Sequence, residues 1–79
     1  MLQSRTIDIL NELDRTHGLK NLFEKGFITW SVIWHRDVYN EFDVYRRLGN
    51  NVAESVLLTS VKLNTSQKTV YKAIKRMKS

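Results

Sequence analysis

Gln67, Lys68, Tyr71, Lys72 and Lys75 bring an amide, a phenol and three ammonium groups together at spacings of three and four residues. On a helix those spacings put all five on one side. Such a surface donates hydrogen bonds and neutralises anions. The major groove of a duplex offers the complement, base-edge acceptors flanked by phosphates. Gln suits adenine and Lys suits guanine O6 and N7, so Gln67, Lys68, Tyr71 and Lys72 are the candidates for base contact. Ser66, Thr69, Lys75, Arg76 and Lys78 are the candidates for phosphate contact, which positions a helix without reading sequence. Asn50 and Asn51, at the start of the preceding helix, are candidates for further backbone contacts.

Other chemistry finds little support. His17 precedes Gly18 at an expected helix end, where a cation complements the dipole. His35 and Asp37 are two residues apart and share no helix face. The chain has no Cys, so cysteine zinc sites and disulfides are excluded. No Ser-His-Asp pattern, Gly-rich phosphate loop or pair of carboxylates is present. The expectation is a protein that is not an enzyme, with no cofactor, metal or small-molecule ligand.

Charge supports a polyanionic partner. Residues 1–54 carry all eight acids and seven bases, net −1, whereas residues 55–79 carry six bases and no acid, net +6. A one-sided field of this kind favours nucleic acid or an anionic membrane surface. The membrane reading is the weaker one, because the apolar side of the basic segment is only Val70, Ala73, Ile74 and Met77. No apolar run approaches the ~20 residues of a membrane span. The opening residues lack the apolar stretch of a signal peptide. A cytoplasmic, nucleoid-associated protein is expected.

The elements that must position these groups read as helices. At 79 residues the chain is one domain, and it contains no proline. Gly18, Gly26 and Gly49 each close a helix-like segment. Ser4 can cap a helix carrying Ile7, Leu10 and Leu13. Residues 19–25 follow, with Leu22 and Phe23 as the apolar pair. Thr29 or Ser31 can cap a longer helix whose face reads Trp30, Trp34, Val38, Phe42, Tyr45 and Leu48. Asn51 and Glu54 make a capping pair for a helix with Val52, Val56 and Leu63 inward. Ser66 caps the last helix, with Val70, Ile74 and Met77 inward. The fold class is all-α, four to five short helices ending in a C-terminal helix-turn-helix. Residues 1–28 form a helical segment that packs on the motif or makes a dimer interface, and residues 29–79 form the DNA-binding unit.

Each position in residues 59–74 has a role in that motif. Ser60 is small where two helices must lie close, and Asn64 tolerates the positive φ of the turn. Residues 63–74, Leu-Asn-Thr-Ser-Gln-Lys-Thr-Val-Tyr-Lys-Ala-Ile, resemble the turn and recognition helix of homeodomain-like helix-turn-helix proteins. They are similar to small regulators of phages and mobile elements, including the C-terminal domain of Mor-type transcription activators. In those proteins a segment like Arg36-Asp37-Val38-Tyr39-Asn40-Glu41-Phe42 precedes the motif as its supporting helix. The likeness covers residues 36–78, about half of the chain. Thr65 departs from the usual Val or Ile, and Ser60 from the usual Ala. The resemblance implies a sequence-specific binder of double-stranded DNA that regulates transcription, with the helix over residues 66–78 in the major groove. The alternatives are a DNA-packaging or recombination accessory protein using the same motif, and a helical protein–protein adaptor.

Trp30 and Trp34 lie in a run, Ile28-Thr29-Trp30-Ser31-Val32-Ile33-Trp34, that is apolar on more than one side. One reading joins the N-terminal helices to the motif through them. The other makes them the interface of a homodimer, since two half-sites multiply affinity and specificity.

Overall fold

A computed structural model describes residues 5–26 and 28–79. Five helices follow one another: α1 (Thr6–Arg15), α2 (Gly18–Glu24), α3 (Trp30–Arg47), α4 (Val52–Lys62) and α5 (Gln67–Met77). The described residues contain no strand, so the architecture is all-α. Ser4 lies outside the described residues. α1 begins after Arg5, whose amide N–H donates to the Asp8 carboxylate at 3.3 Å.

One cluster of buried side chains joins the helices. Ile7 and Leu10 of α1, Leu19 of α2, Val38, Tyr39 and Phe42 of α3, Val56 of α4, and Val70, Ala73 and Met77 of α5 meet in it. α3 is the central element and packs against α1, α4 and α5. Polar ties fix α1 on α3: Arg36 bridges Asp14 at 2.8 Å, and the Asn11 and Asn40 amides pair reciprocally at 3.0 and 3.2 Å. The Arg5 guanidinium donates to the Tyr39 hydroxyl at 3.3 Å.

Several details differ from the sequence reading. Between α1 and α2 the left-handed residue is His17 at φ 63°, not Gly18. α1 ends at the cap residue Thr16, so the reversing position falls on the next residue. Gly18 opens α2, and a Cβ there would meet the Leu13 side chain at 3.1 Å. In α2 the buried residue is Leu19, while Leu22 is half-buried and Phe23 exposed.

The apolar face of α3 also shifts. Val38 and Phe42 are buried as expected, and Tyr39 joins them, but Trp30 is 64% exposed and Leu48 is exposed. Steps of four residues advance about 400°, so Trp30 stands roughly 120° round the helix from Phe42. Thr29, not Ser31, is the cap, and it accepts from the Val32 N–H at 3.4 Å.

α4 departs furthest. Its buried residues are Ser55, Val56, Thr59 and Ser60, and Val52 is exposed rather than inward. α5 keeps Val70 and Met77 inward. Its third buried residue is Ala73, with Ile74 only half-buried.

The α4–α5 turn follows the expectation. Asn64 has φ 52°. The Thr65 N–H donates to the Ser60 carbonyl at 2.9 Å and the Asn64 N–H to the Val61 carbonyl at 3.3 Å, the two bonds of a Schellman motif. Glycine enters this conformation at little steric cost but frees the unfolded chain. Asn64→Gly should therefore change stability by less than about 1 kcal/mol, whereas β-branched Asn64→Val should cost about 1–3 kcal/mol. Thermal melting followed by circular dichroism checks both.

Candidate nucleic-acid interface

α5 is a strongly two-sided helix. Val70, Ala73 and Met77 are fully buried against α3 and α4, which leaves no freedom of facing for the rest. Gln67, Lys68, Tyr71, Lys72 and Lys75 are all exposed. The structure thus brings the four base-contact candidates and Lys75 onto one continuous face. The helix carries no acid, and no carboxylate lies within ion-pair reach of its lysines among the described residues. At about 1.5 Å per residue, eleven residues make a rod roughly 16 Å long, enough to lie in a groove about 12 Å wide.

Local bonds fix the start of this face. Ser66 caps α5, its Oγ accepting from the Thr69 N–H at 3.1 Å, and the two hydroxyls meet at 2.9 Å. Both phosphate candidates therefore already serve the helix, each keeping hydroxyl capacity for a further partner. Lys78 caps the far end and is exposed.

Arg76 turns towards α3. Its Nη1 donates to Ser31 Oγ at 3.1 Å and meets His35 Nδ1 at 3.2 Å. Burial first, then the positive charges of Arg76 and Lys72, push the His35 pKa below its ordinary value. The neutral ring is thereby favoured, with Nδ1 free to accept from Arg76. Arg76 is thus partly committed to holding α5 on α3. Sequence reasoning missed Ser31 and His35 in this tie, and no periodicity could have signalled it, because the contact spans 41 and 45 residues.

Asn50 and Asn51 lie at the α3–α4 corner and act first on the backbone. Asn50 Nδ2 donates to the Tyr45 carbonyl at 3.1 Å, and its own carbonyl accepts from Arg46 at 2.9 Å. Asn51 Oδ1 caps α4 by accepting from the Glu54 N–H at 2.8 Å, while its Nδ2 donates to the Glu54 carboxylate at 2.8 Å. The Glu54 side chain thus returns to the Asn51 amide rather than to its backbone.

Trp30 and Trp34 separate. Trp34 is half-buried and packs against the core, whereas Trp30 stands out with its ring 6.5 Å from that of Phe23. Among the described residues there is no pocket, no cluster of three or more metal-ligating side chains and no helix long and apolar enough to cross a membrane. Comparison with protein-family models, with curated proteins and with solved structures gives no match for this chain.

Proposed function

We propose that this chain is a sequence-specific DNA-binding protein, a small transcriptional regulator, in which α4, the Asn64 turn and α5 act as a helix-turn-helix. α5 enters the major groove with Gln67, Lys68, Tyr71 and Lys72 towards base edges. Lys75 and Lys78 hold phosphates, joined by the hydroxyls of Ser66 and Thr69. The observation that carries this reading is the acid-free outward face of a helix whose opposite side buries Val70, Ala73 and Met77. The likeness of residues 63–74 to homeodomain-like motifs supports it, and the finer likeness to Mor-type regulators makes phage or mobile-element biology the setting to test first.

Selection of bound sequences from a random DNA pool tests the proposal. One enriched motif is the expected result; recovery of the unselected pool overturns sequence-specific recognition. Single substitutions then separate reading from anchoring. Gln67→Ala or Lys72→Ala should lose about 1–3 kcal/mol on the selected site and relax the base chosen there. Lys75→Ala or Lys78→Ala should weaken all sequences about equally and lower the salt slope by about one. Equal loss on every sequence from Gln67→Ala would remove that residue from base reading.

A further inference from the structure

α4 is built inside out. Small polar Ser55, Thr59 and Ser60 face the core with Val56, while Leu57, Leu58 and Val61 face solvent at 49%, 39% and 72% exposure. The inward hydroxyls cost little because they are satisfied locally. Thr59 Oγ1 donates to the Ser55 carbonyl at 2.7 Å and Ser60 Oγ to the Leu57 carbonyl at 2.7 Å. Their small size lets α4 lie close on α3 and α5. The leucines, by contrast, leave 49% and 39% of their surface in water in the single chain, apolar area that a partner could still cover.

The strip continues onto α3. Val44 and Leu48 are exposed and fall three and seven residues after Glu41, on the same side of that helix. Glu41 in turn holds the Lys62 ammonium at 3.0 Å, which joins that side of α3 to the edge of α4 and raises the Lys62 pKa.

We propose that this strip seats a second copy of the chain, α4 packed antiparallel on α4 about a two-fold axis at Leu58. The charges select the occupant. Glu54 stands four residues before Leu58 and Lys62 four residues after it, on one row of the helix. Reversing a copy about Leu58 brings each Glu54 to the partner's Lys62, twice over. Each Lys62 is then shared between its own Glu41 and the partner's Glu54. A parallel pairing would set like charge on like. The strip carries one acid and one base from α4, so it does not repel a copy, and the lysines of α5, which make no ion pair among the described residues, belong to a different helix. A stable pair needs about 800 Å² from each partner, near one-seventh of the 5641 Å² surface of the chain, which α4 with the edge of α3 must supply.

Sedimentation of the full chain across the micromolar range tests the pairing, with circular dichroism run on every variant. A reversible dimer is expected, weakened about tenfold or more by Leu58→Arg. Glu54→Lys alone and Lys62→Glu alone should each lose self-association, and mixing the two should restore a dimer containing one copy of each. That restoration cannot arise from loss of fold. A chain that stays monomeric throughout overturns the proposal and leaves the strip to a different protein. So does a dimer untouched by Leu58→Arg and the charge variants but dissolved by Trp30→Ala.

Discussion

Raising salt from 50 to 200 mM is expected to weaken DNA binding by about 10⁴-fold if two copies bind together, and by about 10²-fold for one copy. Each neutralised phosphate contributes roughly −0.9 to the slope of log K against log salt. Four lysines of α5 and its cap, Lys68, Lys72, Lys75 and Lys78, are exposed and, among the described residues, outside every ion pair. Lys62 is already bonded to Glu41, and Arg76 is tied to Ser31 and His35, so neither is counted. Four contacts give a slope near −3.6 for one copy, and eight give about −7 for two. Fluorescence anisotropy titrations at several salt concentrations read the slope directly. A flat response would remove the nucleic-acid reading, and a steep one would also report how many copies bind.

The legibility of each helix in the sequence followed how cleanly its two sides differ. In α5 every inward residue is apolar and nearly every outward residue is charged or amide, so the facing and the Ser66 cap were readable. The Asn64 turn was readable because few residues other than glycine enter φ 52° so readily. α4 was readable only in part: Val56, the small Ser60 and the Asn51 cap are evident in the sequence, whereas the inward places of Ser55 and Thr59 go by size rather than hydropathy. Ser55, Thr59 and Ser60 win the inward positions by closing their own hydrogen bonds, and the larger Leu57 and Leu58 are pushed out. Hydropathy alone ranks those positions the other way. Long-range ties such as Arg76 to His35 leave no trace in local pattern at all.

Of the two roles expected for residues 1–28, α1 takes the packing one within the chain, and its ties to the end of α5 give that packing a specific form. The Thr6 N–H and hydroxyl both donate to the Ser79 carbonyl, at 2.9 and 2.8 Å. α1 thereby holds the chain just beyond the α5 cap, while Ile7 and Leu10 enter the same core as Val70 and Met77. A helix that reads base edges must keep its register to fractions of an ångström. Fixing it at its start by Ser66, along its length by Val70 and Ala73, and at its end through Thr6 and Arg76 meets that need. α1 thus helps to hold α5 in place, and under the proposed DNA-binding reading it would support recognition through that helix.

Val70→Asp should unfold the protein at neutral pH, and Lys72→Asp should not. Val70 is fully buried and belongs to the cluster shared by α3, α4 and α5. The substitution removes roughly 1.5–3 kcal/mol of burial and places a carboxylate within an apolar cluster. An uncompensated buried charge costs about 3–5 kcal/mol more. A chain of 79 residues has a total stability of about 4–12 kcal/mol at 0.05–0.15 kcal/mol per residue, so the loss is comparable to the whole. The sign of the pH dependence follows from the same burial. The folded-state pKa of the new carboxyl would lie above its unfolded value of about 3.9. The penalty is therefore greatest above the folded pKa and shrinks as pH falls towards 4. Relative to the parent chain at each pH, Val70→Asp should recover stability on mild acidification. Lys72→Asp lies two residues along the same helix on the exposed face. It should keep the melting transition within about 1 kcal/mol of the parent while abolishing DNA retention, since it sets a negative charge against phosphate. Melting curves of the two variants at pH 7 and pH 5, read beside DNA binding, separate the two faces of α5. A Val70→Asp protein that kept the parental helical signal and melting temperature at pH 7 would show that α5 faces the other way.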